Sequence, residues 1–250
     1  MLRGMVVGGS IALASGCAVL EPELVLSESR VFVGEGRIAG LDSDRAGGLW
    51  VVYTVEAADY YAKDHVRLVH LDPAGTKTAE FFYDDDHSNV GGLAFSGDAV
   101  WLNYGQGFTD NLHVRKLDPV TGERLGSFAT WAGFVDLDFH EDELRLAFLW
   151  NEVVAMDPAT GEVTSRASVI GPDESTQRGI ASLEDGRMWT SSWLTQEVFL
   201  LNHRHLPVAR ASLAGIASAP LSNELYLAWD GTHLIVAVDN QITWLTPEGL

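Results

Sequence analysis

Five times along the chain an apolar run ends in a short turn built on Leu-Asp-Pro or a variant of it. The copies begin at Leu71 (Leu-Asp-Pro-Ala-Gly), Leu117 (Leu-Asp-Pro-Val-Thr-Gly), Met156 (Met-Asp-Pro-Ala-Thr-Gly), Leu201 (Leu-Asn-His-Arg-His) and Leu245 (Leu-Thr-Pro-Glu-Gly), in steps of 46, 39, 45 and 44 residues. The chemistry is that of a hairpin: Asp caps the bend, Pro presets φ, and Gly takes the left-handed position that closes a bulge. A second apolar strand starts 11 to 22 residues ahead of each copy: Leu49–Tyr53, Val100–Tyr104, Leu144–Phe148, Met188–Ser192 and Leu234–Val238. Short strands such as Gly92–Phe95 and Val135–Phe139 lie ahead of these, and a fourth, such as Arg124–Thr130, follows the turn. Four strands in a unit of about 44 residues is the period of a propeller blade.

The expected fold is therefore all-β: a β-propeller of five blades, each of four antiparallel strands, over residues 24–250. The last repeat stops one strand short, at Leu250. Residues 24–33 read as a lone strand placed to supply the missing one, closing the ring and removing its open edge. The echo between Gly179-Ile180-Ala181-Ser182 and Gly215-Ile216-Ala217-Ser218 offers an early start for blade 5, but its spacing is too short, so the later start is preferred.

Ahead of the repeats, Met1-Leu2-Arg3 carries one positive charge and Gly4–Leu13 is mostly apolar, the length of a signal-peptide core and too short to span a bilayer as a mature helix. Leu13-Ala14-Ser15-Gly16-Cys17 resembles the bacterial lipobox. That resemblance implies a signal peptide over residues 1–16, lipid attachment at Cys17 and a short tether over 17–23. It also gives a role to the single cysteine of the chain, which can form no internal disulfide. Ala18, rather than Asp, follows the cysteine, which by the same resemblance implies export to the cell envelope and sorting to the outer membrane.

With 35 acidic against 16 basic residues the formal charge is −19, and losing Arg3 with the leader makes it one unit more negative. Such a surface repels phosphate backbones, which argues against nucleic acid as a partner. The Asp-Pro-x-Thr-Gly turns and the stretch Ala228-Trp229-Asp230-Gly231-Thr232-His233-Leu234 resemble bacterial propeller repeats of the YVTN/NHL type over residues 36–250. That likeness implies the fold and leaves activity open, because propellers host many functions.

In an antiparallel blade, the loops between strands two and three share a face with the loops between blades, and function tends to gather on such loops. Thr54–His65 in blade 1 carries Tyr60 and Tyr61, Gly105–Asn111 in blade 2 carries Phe108, and Trp131, Trp150 and Trp193 stand at matching ends of later blades. Between blades 1 and 2 runs Asp84-Asp85-Asp86-His87-Ser88-Asn89. Aromatic rings beside Asp84, Asp86 and His87 could hold a sugar, a cationic group or a peptide by stacking and cation–π contact. Strand-end aromatics also serve simply to pack blade against blade. Ca²⁺ would accept the Asp84 and Asp86 carboxylates, but the run lacks the spaced pattern of a calcium loop, so no metal or cofactor is expected.

Gly34-Glu35-Gly36-Arg37-Ile38-Ala39-Gly40 has the wrong spacing for a dinucleotide loop. There is no Gly-x-Ser-x-Gly or His-Glu-x-x-His. The leading expectation is an anchored propeller that binds a ligand or a protein partner. The alternative is a propeller enzyme, either metal-dependent and lactonase- or hydrolase-like or else lyase- or cyclase-like, with its site on the face bearing the blade 1 and blade 2 insertions. A resemblance to gluconolactonases would draw on Asp84, Asp86, Asn89, Asp173 and Glu174; one to bacterial glutaminyl cyclases would share five blades and length.

Overall fold

The computed structural model describes residues 23–55, 65–83, 89–105, 112–130, 134–148, 151–169, 177–192, 195–214 and 225–250, and among them every regular element is a strand. β1 (Val25–Val33) stands alone at the start. Blade 1 is β2 (Arg37–Ser43), β3 (Leu49–Val55), β4 (His65–Leu71) and β5 (Lys77–Tyr83). Blade 2 is β6 (Asn89–Phe95), β7 (Val100–Gly105), β8 (Leu112–Leu117) and β9 (Arg124–Thr130). Blade 3 is β10 (Phe134–His140), β11 (Glu143–Phe148), β12 (Glu152–Met156) and β13 (Val163–Ser168). Blade 4 is β14 (Gln177–Ser182), β15 (Met188–Ser192), β16 (Glu197–Leu201) and β17 (Pro207–Ser212). Blade 5 joins β18 (Leu225–Trp229), β19 (Leu234–Val238) and β20 (Gln241–Glu248) to β1, in the order β1-β20-β19-β18. The molecule is a five-bladed β-propeller closed by its first strand.

Blade 5 takes the later of the two starts. Its third strand differs from the others, because β20 runs straight through Thr246-Pro247-Glu248 and pairs Pro247 with Leu26 of β1. With its outer neighbour supplied from the start of the chain, the fifth turn-like copy has no hairpin to make. Further upstream, Leu24 N donates to Arg210 O at 2.7 Å, so the chain reaches β1 by way of the outer strand of blade 4.

The turns form as their residues dictate. Asp118 Oδ1 accepts the backbone N–H groups of Val120 and Thr121 at 2.7 and 2.9 Å, and Asp157 Oδ1 those of Ala159 and Thr160 at 2.7 and 3.1 Å. Gly75, Gly122 and Gly161 hold φ of 82°, 73° and 74°, the left-handed region where a Cβ is penalised. A register shift precedes each turn, at His70/Leu71, Lys116/Leu117 and Ala155/Met156. These glycines do a second thing. A Cβ on Gly122 would fall 2.4 Å from the Phe81 ring, and one on Gly161 would fall 2.6 Å from Phe128. Each turn glycine thus receives an aromatic from the outer strand of the preceding blade; Phe32 of β1 stands beside Gly75 in the same way. Blade 4 breaks the pattern at both ends: His205 takes the left-handed position, and the β13 sequence Val-Thr-Ser-Arg-Ala-Ser offers no ring.

The core is a series of slabs between blades. Trp50, Val52 and Leu68 of blade 1 pack on Leu93, Leu102 and Tyr104 of blade 2, and Trp101 and Val114 of blade 2 pack on Leu137, Leu144 and Leu146 of blade 3.

Candidate functional site

Three inner strands carry glycine at one level: Gly40 in β2, Gly92 in β6 and Gly179 in β14. A Cβ on Gly40 would lie 2.7 Å from the Gly92 carbonyl carbon, and one on Gly92 would lie 2.7 Å from the Asp136 Cα. The axis of the propeller is therefore pinched to backbone contact, and Asp136 of β10 fills it. Its carboxyl is fully buried. Oδ2 accepts N–H from Ile180 of blade 4 at 3.1 Å and from Leu227 of blade 5 at 3.3 Å, while Oδ1 accepts from its neighbour Leu137 at 3.0 Å. One side chain ties blade 3 to two blades beyond it.

Two residues along, the same device recurs between adjacent blades. Asp42 Oδ2 accepts Phe95 N–H at 2.7 Å, and Asp138 Oδ2 accepts Ser182 N–H at 3.0 Å. At the turn-bearing mouth, Arg45 Nη2 reaches past blade 2 to donate to Phe139 O at 3.3 Å. A shallow cavity of about 250 Å³ opens there between Phe95, Phe139, Arg45, Asp44, Glu141 and Asp142. His140, also buried, is pushed toward the neutral form first by burial and then by Arg145.

Burial holds the carboxyls of both Asp42 and Asp136 well above the usual carboxylate range; the charge of Asp138 adds to this at Asp42, and backbone donors oppose it at both. An acid that ionises less readily folded than unfolded contributes most below the unfolded pKa of about 4, and that contribution is lost as pH rises through the folded pKa. From pH 5 to pH 8 the melting temperature of Asp42→Asn should accordingly gain on that of the parent. Asp118 and Asp185, held low by backbone donors, stay ionised across this range, while His140 and His205, held low by burial, work in the opposite sense and are common to both proteins. Equal slopes in parallel melts would show that Asp42 does not titrate in this window.

On the opposite face, Asn103 and Tyr104 lie near the end of β7, just ahead of Gly105. Asn103 Oδ1, the Tyr104 hydroxyl and, at the end of β9, Thr130 Oγ1 are all buried with no hydrogen-bond partner among the described residues. Arg115 lies with its guanidinium carbon 4.1 Å from the Tyr104 ring centre, and burial raises the Tyr104 phenol above its ordinary range. These groups stand at the strand ends that flank residues 106–111 and 131–133.

The sequence reading placed its recognition residues in those connecting segments. Tyr60 and Tyr61 fall in 56–64, Asp84, Asp86 and His87 in 84–88, Phe108 in 106–111, Trp131 in 131–133, Trp150 in 149–150 and Trp193 in 193–194, all outside the described residues. Cys17 and the leader lie outside them too. Among the described residues no group of three His, Cys, Asp or Glu is placed to hold a metal ion. The hub carboxylates went unrecognised as a group, since Asp136 and Asp138 alternate with apolar residues as in any half-exposed strand.

No protein-family model matches the chain, and no curated protein matches its sequence. Solved structures do share the fold. Glutaminyl cyclase from Myxococcus xanthus aligns at a TM-score of 0.67 with 12% identity, over 91% of this chain and 98% of the other. Virginiamycin B lyase from Staphylococcus aureus aligns at 0.52 with 13% identity, over 90% and 99%. At such identity the likeness is one of architecture.

Proposed function

We propose that this is an exported propeller, anchored in the envelope through Cys17 and related in its repeats to the YVTN/NHL type, that binds a small ligand on the face bearing residues 56–64 and 106–111. The observation that supports this most directly is the set of buried, unpartnered acceptors and hydroxyls at Asn103, Tyr104 and Thr130. Polar groups taken from water without a partner are costly, and sites that bind polar ligands keep such groups in reserve. Tyr60, Tyr61, Phe108, Trp131, Trp150 and Trp193 are the aromatic candidates on that face, with Asp84, Asp86 and His87 as the acidic edge.

The test is a melting screen of the Cys17→Ser chain against sugars, short peptides, cationic aromatics and divalent metal ions. A ligand at a hundred times its dissociation constant adds about 2.7 kcal/mol to the folded state. Tyr61→Ala and Phe108→Ala should abolish the ligand-induced rise and leave the unliganded melting temperature in place. Equal losses with and without ligand would assign those rings to packing. Acylation at Cys17 is checked by labelled fatty acid uptake that Cys17→Ser removes.

A second reading is favoured by the names of the structural neighbours, a cyclase and a lyase: an enzyme acting from the same face. Turnover of glutaminyl peptides, absent in Tyr104→Phe, would move the assignment there.

A further inference from the structure

Where β1 passes from blade 5 to lie beside blade 1, the two sheets leave a cavity of about 280 Å³. Its inner wall is apolar, formed by Phe32, Val69 and Leu71. Its polar side is not typical of this acidic chain: Arg67 and Lys77 both line it, facing Glu35. Arg67 is held firmly. Its side chain is 12% exposed, its guanidinium carbon lies 4.8 Å from the Tyr53 ring centre, and Nη1 stands 2.9 Å from Glu35 Oε2 and 3.5 Å from Glu80 Oε1. Its Nε is buried with no acceptor among the described residues. Lys77 leans mainly on Glu80, at 2.8 Å, and is 3.6 Å from Glu35.

Glu35 is the loose member of this group. Its side chain is 62% exposed and sits between Gly34 and Gly36, in the connection that joins β1 to β2. An exposed carboxylate on a glycine-flanked connection contributes little to a surface ion pair and is readily exchanged. Arg67, by contrast, is fixed against Tyr53, and the planar fork of a guanidinium is the group that receives a carboxylate in two-point fashion once Glu35 leaves it.

We propose that this cavity is a binding site for a small amphipathic carboxylate, whose head displaces Glu35 from Arg67 while its apolar body lies against Phe32, Val69 and Leu71. The cavity runs along the seam between β1 and blade 1, from Glu35 to Gly75, and the proposal does not rest on the ligand reading above. Tyr53 supports the arrangement as a neutral phenol, because burial raises its pKa to about 12. Gly34 makes room for it, since a Cβ there would fall 2.7 Å from the Tyr53 ring.

Calorimetric titration of hexanoate into the full chain tests this, with hexanamide and hexylammonium as controls. Hexanoate should bind saturably and both controls at least about tenfold more weakly, while Glu35→Gln should tighten hexanoate about fivefold by removing the internal competitor. Arg67→Gln should abolish binding, and Arg67→Lys, which keeps the charge but not the fork, should weaken it. Glu35 is exposed, so its variant tests the idea without endangering the fold. No saturable binding to either the parent or Glu35→Gln overturns the proposal, as does hexylammonium binding as well as hexanoate or a Glu35→Gln variant that binds hexanoate no better.

Discussion

Asp136→Ala should lower the unfolding free energy by about 3–5 kcal/mol, the largest loss from any single side chain on the axis. The substitution strips the acceptor from three N–H groups, on Leu137, Ile180 and Leu227, at a point with no access for water to replace it. Relief of the buried carboxyl's own desolvation returns part of the cost, which is why the loss is smaller than three lost bonds would suggest. Asp136→Asn, keeping the shape and one acceptor oxygen, should fall between the two. Urea unfolding with an unchanged m-value is the measurement. A loss below about 1 kcal/mol would mean that the hub holds together by packing alone.

Gly92→Ala should cost a comparable amount, on the order of 3–5 kcal/mol, for a steric reason. Its φ of 93° penalises any Cβ, and that Cβ would fall 2.7 Å from both the Cα of Asp136 and the N of Leu137. Those are main-chain atoms of the next blade, so nothing flexible can move aside. Gly97→Ala is the matched control: φ is 90° and nothing lies within 4 Å of the added carbon. It should cost about 1 kcal/mol, the conformational part alone. Equal losses in the two variants would show that the inner strands part freely around the axis.

The sequence made the architecture readable because its signals are local. Asp118-Pro119-Val120-Thr121-Gly122 builds its turn from its own atoms, and repetition of that turn counts the blades. Closure by residues 24–33 followed from a missing strand. What Gly122 receives, the Phe81 ring, could not be read, because that partner lies in another blade and no spacing encodes it. The same holds for the hub. In an ordinary sheet, Asp136 and Asp138 alternating with Val135, Leu137 and Phe139 mark a wet face. Around an axis, both faces of an inner strand are enclosed, and the alternation conceals a buried carboxyl.

The cavity beside β1 was equally hidden. Glu35, Tyr53, Arg67 and Lys77 come from one connection and three strands of differing register, and Gly34-Glu35-Gly36 was weighed only as a nucleotide loop. The recognition residues were proposed on the logic that connecting segments on a rigid frame carry function. That logic selects a face of the molecule but does not assign roles within it.

The seam between β1 and β20 has a consequence for how the molecule assembles. Ser27 and Thr246, bonded across it, are separated by 219 positions, so this pairing carries the greatest loop-closure entropy in the ring. A chain that emerges start first keeps β1 without its neighbour until nearly every other blade has been delivered. During that interval Val25, Val31 and Val33 belong to a strand with both edges bare, the kind of surface that recruits a stray chain. Completion of the circle is thus a single late event on which solubility of the whole depends.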